Sequence, residues 1–254
     1  ELLSFLEHLN EFPPEQIGPV IAVANGLDDL ESIQLREASK ALLIGHLSII
    51  AGAQNPGYFG GARLGLDHLS ELPEWTIVTN DDIRFSSNFF DELHAVPECA
   101  STAAVAPNIV VPAKLNLYQN PLYSIKPPAW RIHLAYFFQK YILFAKLYRT
   151  LFSIKRKLLR TRTPNRQSIY AAHGACFIFS KTYFQKGGDL DFNGFLYGEE
   201  FFIAESVHNL GLRIILEPKL KVEHHEHSST GTLASQTLSN YLVEAYKRIL
   251  REYY

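Results

Sequence analysis

Three short clusters in the 254-residue sequence gather side chains that can do chemistry. The first is Asn80-Asp81-Asp82, inside the stretch TIVTNDDIRF (76–85). Two adjacent carboxylates repel each other unless a cation neutralises them. Hard divalent ions, Mg²⁺ or Mn²⁺, take oxygen ligands of this kind and usually bring a phosphate with them. The plainer reading is a turn, since Asn and Asp are turn residues at strand ends. The second cluster is Glu199-Glu200, in GFLYGEEFF, and the third is the run His224, His225, Glu226, His227.

Each cluster sits where an element ends. Thr76, Ile77 and Val78 read as a buried strand, so Asn80-Asp81-Asp82 fall at its carboxyl end, the edge of an open α/β sheet where ligands bind. Glu199 and Glu200 stand at the head of a helix, where the dipole favours carboxylates. IILEPKLKVEHHEH reads as a strand or two leading into the histidines. Upstream, ELLSFLEHLN is helical, PVIAVANG is a strand, LDDLESIQLREASKALLIGHL a helix and LSIIAG a second strand. NPGYFGGARLGL carries Gly57, Gly60, Gly61 and Gly65, which permit close backbone approach to a ligand ahead of a helix; an ordinary loop leading into a helix reads equally well. TAAVAPNIVV and HGACFIFS add strands, and LSNYLVEAYKRILREYY a closing amphipathic helix. The alternation implies an α/β fold with a mostly parallel, mixed central sheet flanked by helices.

Hydrophobic content of 47% and charged content of 20% exclude a disordered chain. Two cysteines cannot make a disulfide framework, so a reducing compartment is expected. No run of 18 uncharged apolar residues exists to span a bilayer, and no signal peptide is visible. The sequence contains no methionine and opens directly in a helix, so a preceding piece bearing a first strand is expected.

The net charge of −2 conceals an asymmetry. Between positions 99 and 188 there is no Asp or Glu against 14 Lys and Arg, leaving 10 basic residues to face all 26 acidic ones elsewhere. Within that block, the segment 130–160 reads as one helix after Pro127-Pro128. Leu134, Phe137, Phe138, Tyr141, Phe144, Ala145, Tyr148 and Phe152 share a stripe, with Arg131, Lys146, Arg149, Lys157 and Arg160 to one side. Broad apolar face, aromatics and basic flank match a helix lying on an anionic membrane surface. The alternative is a core helix whose cations are merely solvated. Nucleic acid is not expected as a partner, because the aromatics sit with the aliphatics and not among the cations.

In order along the chain, these motifs resemble those of family 2 glycosyltransferases, of the rhamnosyltransferase-like, surface-polysaccharide kind. The resemblance runs from Pro19 to about Ser229 and implies a GT-A fold. PVIAVANGLDD resembles the family's second strand, NPGYFGGARLGL its Asn-x-Gly segment, TNDDI its D-x-D element, HGACFIFS its Gly-Ala strand, and FLYGEEFF the acidic motif of the catalytic base. Ala24 stands where the family often has an Asp on the base, Arg63-Leu64 replaces the usual Asn, and Glu200 stands where Asp is commoner. The resemblance implies an inverting transfer from a nucleoside-diphosphate sugar to a glycan or lipid-linked acceptor. Asp82 and His224 would hold Mn²⁺ or Mg²⁺, while His225 and His227 read as surface residues. Asn25, Asn55, Gly57, Gly61, Arg63, Asn80, Asp81, His173 and Gly174 would line the donor, although His173 reads equally well as a core histidine. Glu200 would be the base, and Glu199 would hold the loop or the acceptor.

By this reading 1–115 form the nucleotide-sugar half, 116–167 a basic helical insertion, and 168–254 the acceptor half of one domain. A cytoplasmic location, peripheral on the inner face of the cell membrane, is expected, and the sequence leaves homo-oligomerisation open. Two alternatives come from other classes. A metal-dependent nucleotidyltransferase would need a Gly-rich phosphate loop with an early Lys, which is not visible. An inactive membrane-bound scaffold should have lost Asp82 or Glu200, and both are present.

Overall fold

The strand expected before Asn80 is present, and the other elements assemble beside it. The computed structural model describes residues 1–25, 29–42, 44, 46–52, 54–97, 99–114, 117–141, 144–145, 164–226 and 235–254. Helix α1 (Leu2–Leu9) precedes strand β1 (Val20–Asn25), helix α2 (Asp29–Ser39), strand β2 (Leu47–Gly52) and helix α3 (Tyr58–Leu66). Next come β3 (Trp75–Thr79), β4 (Ile83–Phe85), α4 (Phe89–His94), β5 (Thr102–Val111), β6 (Leu117–Tyr118) and α5 (Ala129–Lys140). The chain continues through β7 (Gln167–Ile169), β8 (Cys176–Ser180), α6 (Lys181–Gln185), α7 (Glu199–Asn209), β9 (Arg213–His224) and α8 (Ser235–Tyr253).

The α/β class expected from the sequence is the one observed, with helices on both sides of a mixed sheet. The larger sheet runs β3-β8-β5-β9-β4, with β6 added at β5 and β7 at β9. β5 and β9 form the longest pairing, and it is parallel. β1 and β2 form a second, parallel sheet of their own. The pairs β3–β8, β5–β8, β4–β9, β5–β6 and β7–β9 are antiparallel.

Period-two alternation sorts the side chains of the central strands into two apolar layers. Cys176 and Ile178 of β8, with Val105 and Ile109 of β5, join Phe5, Leu6 and Leu9 of α1 on one face. Phe177 and Phe179, with Ala104 and Ala106, join Phe59, Tyr183, Ile203 and Val207 on the other. Burial on both faces is why these strands read as continuous apolar runs. Phe59, Phe89, Phe177 and Phe179 are almost completely buried, and each such side chain contributes about 1.5–3 kcal/mol by leaving water.

One expectation is corrected. The segment 130–160 is not a single helix: α5 ends at Lys140, and Tyr141 turns to extended backbone at φ −112° and ψ 113°. The sequence there, FFQKYIL, has three aromatic residues and a β-branched Ile, types that lose rotamer freedom in a helix. Helical geometry is present again at 144–145. Tyr148, Phe152 and the cations Lys146, Arg149, Lys157 and Arg160 lie outside the described residues.

Candidate active site

Strand register brings the three clusters of the sequence to one place. β3 runs antiparallel to β8 with Thr79 opposite Cys176, so the residues after β3 meet those just before β8. The Asn80 N–H donates to the Ala175 carbonyl at 3.1 Å, and Thr79 Oγ1 donates to the same oxygen at 3.0 Å. β4 pairs with the far end of β9, Ile83 opposite His224. Asp82 is therefore delivered beside the histidines, and its carbonyl accepts the His225 N–H at 2.9 Å.

Asp82 and His224 are both buried, at 6% exposure each. Asp82 Oδ1 lies 3.3 Å from His224 Nε2, yet neither atom has a hydrogen-bond partner. On its other side, His224 Nδ1 lies 2.8 Å from Gln119 Oε1. The Gln119 amide is itself oriented, because its Nε2 donates to Glu226 Oε1 at 2.9 Å. Glu226 also takes an ion pair from Lys114. With the amide oxygen turned to His224, the ring proton belongs on Nδ1, and the Nε2 lone pair faces the carboxylate.

Two lone-pair donors facing each other in a buried site fit a small divalent cation. Adjacent corners of an octahedron with bonds of about 2.1 Å lie ~3 Å apart, close to the spacing here. An imidazole fixed through its other nitrogen is the usual partner arrangement at such ions. Among the described residues no three His, Cys, Asp or Glu side chains form a complete metal cluster. Asp82 and His224 would therefore supply two positions and leave the rest to ligand oxygens and water.

The acidic pair lies across the same opening. Gly198, at φ +100°, caps α7 and starts it directly on Glu199 and Glu200. Consecutive helix residues diverge by about 100°, which suggests that only one of the two could face a cleft, but here both do. In the first turn side chains lean back toward the helix start, and both carboxylates come to rest on Gly174. A Cβ at that position would sit 3.0 Å from Glu200 Oε1 and 3.4 Å from Glu199 Oε1, so the glycine makes room for them. Glu199 is buried with Oε2 unpartnered; burial, and then the charge of Glu200, push its pKa to about 8. Burial also raises Glu200, opposed by the backbone N–H groups of Glu200 itself, Gly174 and Gly198. Glu200 is the more exposed of the two.

Asp82, Gln119, Gly174, Glu199, Glu200, His224 and Glu226 line a single open cleft of ≈ 2060 Å³. Of the residues predicted to line the donor, Asn55, Gly57, Gly61, Asn80, Asp81, His173 and Gly174 do border it. Asn55 is also structural, since its Oδ1 accepts the Gly57 N–H at 2.9 Å. Gly57 has φ +81°, and a Cβ there would lie 2.5 Å from the Phe195 carbonyl oxygen, so that turn requires glycine. Burial raises the Asp81 carboxyl. The His173 ring lies 5.9 Å from the His224 ring, and its Nδ1 accepts the Ala175 N–H at 3.2 Å. Arg63 is not brought in. It is exposed and ion-pairs with Asp191 at 2.5 Å, because α3 turns it outward beyond Gly61. Asn25 ends β1, and its side chain lies outside the described residues, as does His227. His225 is half-exposed beside Glu223, in keeping with a surface residue.

Three contributors escaped the sequence reading. Gln119 and Lys114 carry no motif, and they reach His224 and Glu226 because the β5–β6 hairpin folds beside the end of β9. Tyr58, at the first position of α3, lines the cleft and donates to the Val78 carbonyl at 3.2 Å.

No family profile and no curated protein matches the sequence. Among solved structures the chain is similar to one described as GalNAc-T7 with UDP, GalNAc and Mn²⁺, at a TM-score of 0.55. The chain has the GT-A fold. The match covers 94% of this chain, and 15% of the residues are identical. It spans 45% of the GalNAc-T7 chain. At this identity the likeness carries the fold alone.

Proposed function

We propose that this chain is an inverting glycosyltransferase of the family 2 kind. It would move a sugar from a nucleoside-diphosphate sugar to a hydroxyl of a glycan or lipid-linked acceptor, in the synthesis of a surface polysaccharide. The observation that carries the reading is the pairing of two acidic sites in one cleft of a GT-A fold. One is the orphaned Asp82–His224 pair, and the other is the Glu199–Glu200 pair, of which Glu199 is buried with an unpartnered oxygen and Glu200 is the more exposed. The GalNAc-T7 structure of the same fold was solved with UDP, GalNAc and Mn²⁺, which supports the donor class and the metal.

Asp82 and His224 would hold Mn²⁺ or Mg²⁺, which would supply Lewis-acid neutralisation of charge on the leaving diphosphate. Asn80 and Asp81, which line the cleft, would border the diphosphate, and the first turn of α3 from Tyr58 would offer it backbone N–H groups. With its Nδ1 accepting the Ala175 N–H, His173 carries its proton on Nε2 and donates from there.

Glu200 takes the proton of the acceptor hydroxyl. Environments that push two carboxyls apart assign acid and base. Glu199, buried and raised to about 8, keeps its proton near neutral pH. Glu200 is also raised by burial, but it is the more exposed of the two and the Gly174 and Gly198 N–H groups oppose that rise, so the role of base falls to it. A single base acting on the face opposite the leaving group gives inversion, by the geometry that separates the glycosidase classes. Protonated Glu199 is a hydrogen-bond donor through its otherwise unpartnered Oε2 and orients the acceptor.

Glu200→Gln tests the assignment, since it keeps size and hydrogen bonding but cannot take a proton. Transfer from a nucleotide sugar should fall at least about a hundredfold with nucleotide binding unchanged. Normal turnover by Glu200→Gln beside a dead Glu199→Gln would move the base to Glu199. Activity in both variants would remove the mechanism.

A further inference from the structure

Helix α5 has two apolar faces, and the fold uses one of them. Ile132, Ala135 and Gln139 are buried, with Ile132 packed among Ile249, Tyr246 and Leu250 of α8. The outward side carries Trp130 at 64% exposure, Leu134 at 44% and Phe137 at 51%, continued beyond the helix by Tyr141 at 47% and Phe144 at 49%. Spacing of 4 and 3 residues keeps Trp130, Leu134 and Phe137 on one side of α5, and ring contacts carry the surface past the helix end. Phe137 and Tyr141 are in edge contact at 5.3 Å, and Tyr141 and Phe144 at 6.4 Å, so the rings form a continuous patch. Five of the eleven large exposed apolar side chains described in the chain fall within these fifteen residues, which is a concentrated patch and not scatter.

We infer that this stripe is the surface by which the protein docks on an anionic lipid bilayer. Trp and Tyr prefer the bilayer–water boundary, where ring and polar tip are both satisfied. The stripe lies within the 99–188 block, which has 14 Lys and Arg and no acid, and negative lipid headgroups complement such a block. Arg131 and Lys140, next to the stripe, are exposed and make no ion pair among the described residues. A second copy of this chain fits poorly, because a symmetric contact would set one basic block against the other. A nucleic acid fits poorly too, because the rings keep company with Leu134 and each other. Docking here does not depend on the transferase reading, and a lipid-linked acceptor would be met at the same surface.

Vesicle co-sedimentation of the whole chain tests the inference. The probes are vesicles of phosphatidylcholine alone and of phosphatidylcholine with phosphatidylglycerol. The protein should pellet with the anionic vesicles only, and high salt should release it. The triple variant Trp130→Ser, Phe137→Ser, Phe144→Ser should bind at least tenfold more weakly, with an unchanged circular dichroism spectrum and melting temperature. Trp130 emission should shift to the blue on binding, and Trp130→Phe should lose that shift. Failure of the wild type to bind anionic vesicles, or equal binding by the triple variant, overturns the inference. So does a dimer in vesicle-free solution that the triple variant abolishes, which would assign the stripe to a second copy.

Discussion

Asp82→Asn separates the metal reading of the cleft from its main competitor by the sign of a stability change. If His224 were an imidazolium, its Nε2 proton would make the 3.3 Å contact with Asp82 a buried ion pair. Removing one partner of such a pair costs about 3–5 kcal/mol. If instead His224 is neutral with its proton on Nδ1 toward Gln119, two acceptors face each other, and the metal-free protein carries an unfavourable contact. Asn at position 82 then places an amide donor against the Nε2 lone pair and removes a buried charge. A new neutral hydrogen bond stabilises by about 0.5–1.5 kcal/mol. For a chain of this length 1 kcal/mol moves the melting temperature by about 2–4 °C. In EDTA at neutral pH, Asp82→Asn should therefore melt a few degrees above the wild type. The ion-pair alternative requires a fall of about 6 °C or more. Adding Mn²⁺ with a nucleoside diphosphate should reverse the order. Ligand at a hundred times its Kd stabilises the wild type by about 2.7 kcal/mol, and the variant should gain nothing. Differential scanning fluorimetry reads both arms. A variant that melts lower in EDTA, or that keeps the Mn²⁺-dependent gain, refutes the reasoning.

Two further outcomes follow from the neighbours of that pair. Glu199, raised from 4.5 to about 8, holds a proton in the folded chain that the unfolded chain has lost between those values. Its contribution to stability therefore falls as pH rises across that window, by at most about 1.4 kcal/mol per pH unit. Urea melts at several pH values should show Glu199→Gln gaining on the wild type from pH 5 to 8; a difference constant with pH would sink the assignment. Gln119→Leu removes the acceptor that fixes the His224 tautomer, and Mn²⁺-dependent nucleotide affinity should drop about 10–100-fold by calorimetric titration. Unchanged affinity would show that Gln119 does not position the ring.

What the sequence disclosed and what it withheld divide along a physical line. Asp82, His224, Glu199, Glu200 and Gly174 were legible because each ends or begins an element whose apolar pattern is strong, and because chemistry restricts the residue type there. The strands themselves were legible through burial on both faces. Gln119 and Lys114 were not, because their role is created by a hairpin register that places a polar side chain beside β9. Any amide or cation elsewhere in the 99–188 block would have looked the same. Arg63 was misplaced for the converse reason. A glycine-rich stretch shows that backbone comes close to something, but the wheel position that turned Arg63 to Asp191 was set by where α3 begins, at the Gly57 turn. The acidic pair shows the limit most clearly. A straight-helix rule separates two neighbours by about 100°, yet at a helix start the side chains lean back, and a glycine from β8's approach lets both carboxylates settle on its backbone. Burial raises both carboxyls, and the Gly174 N–H opposes that rise at Glu200. The environment of the pair is thus set by Gly174 as much as by the two glutamates.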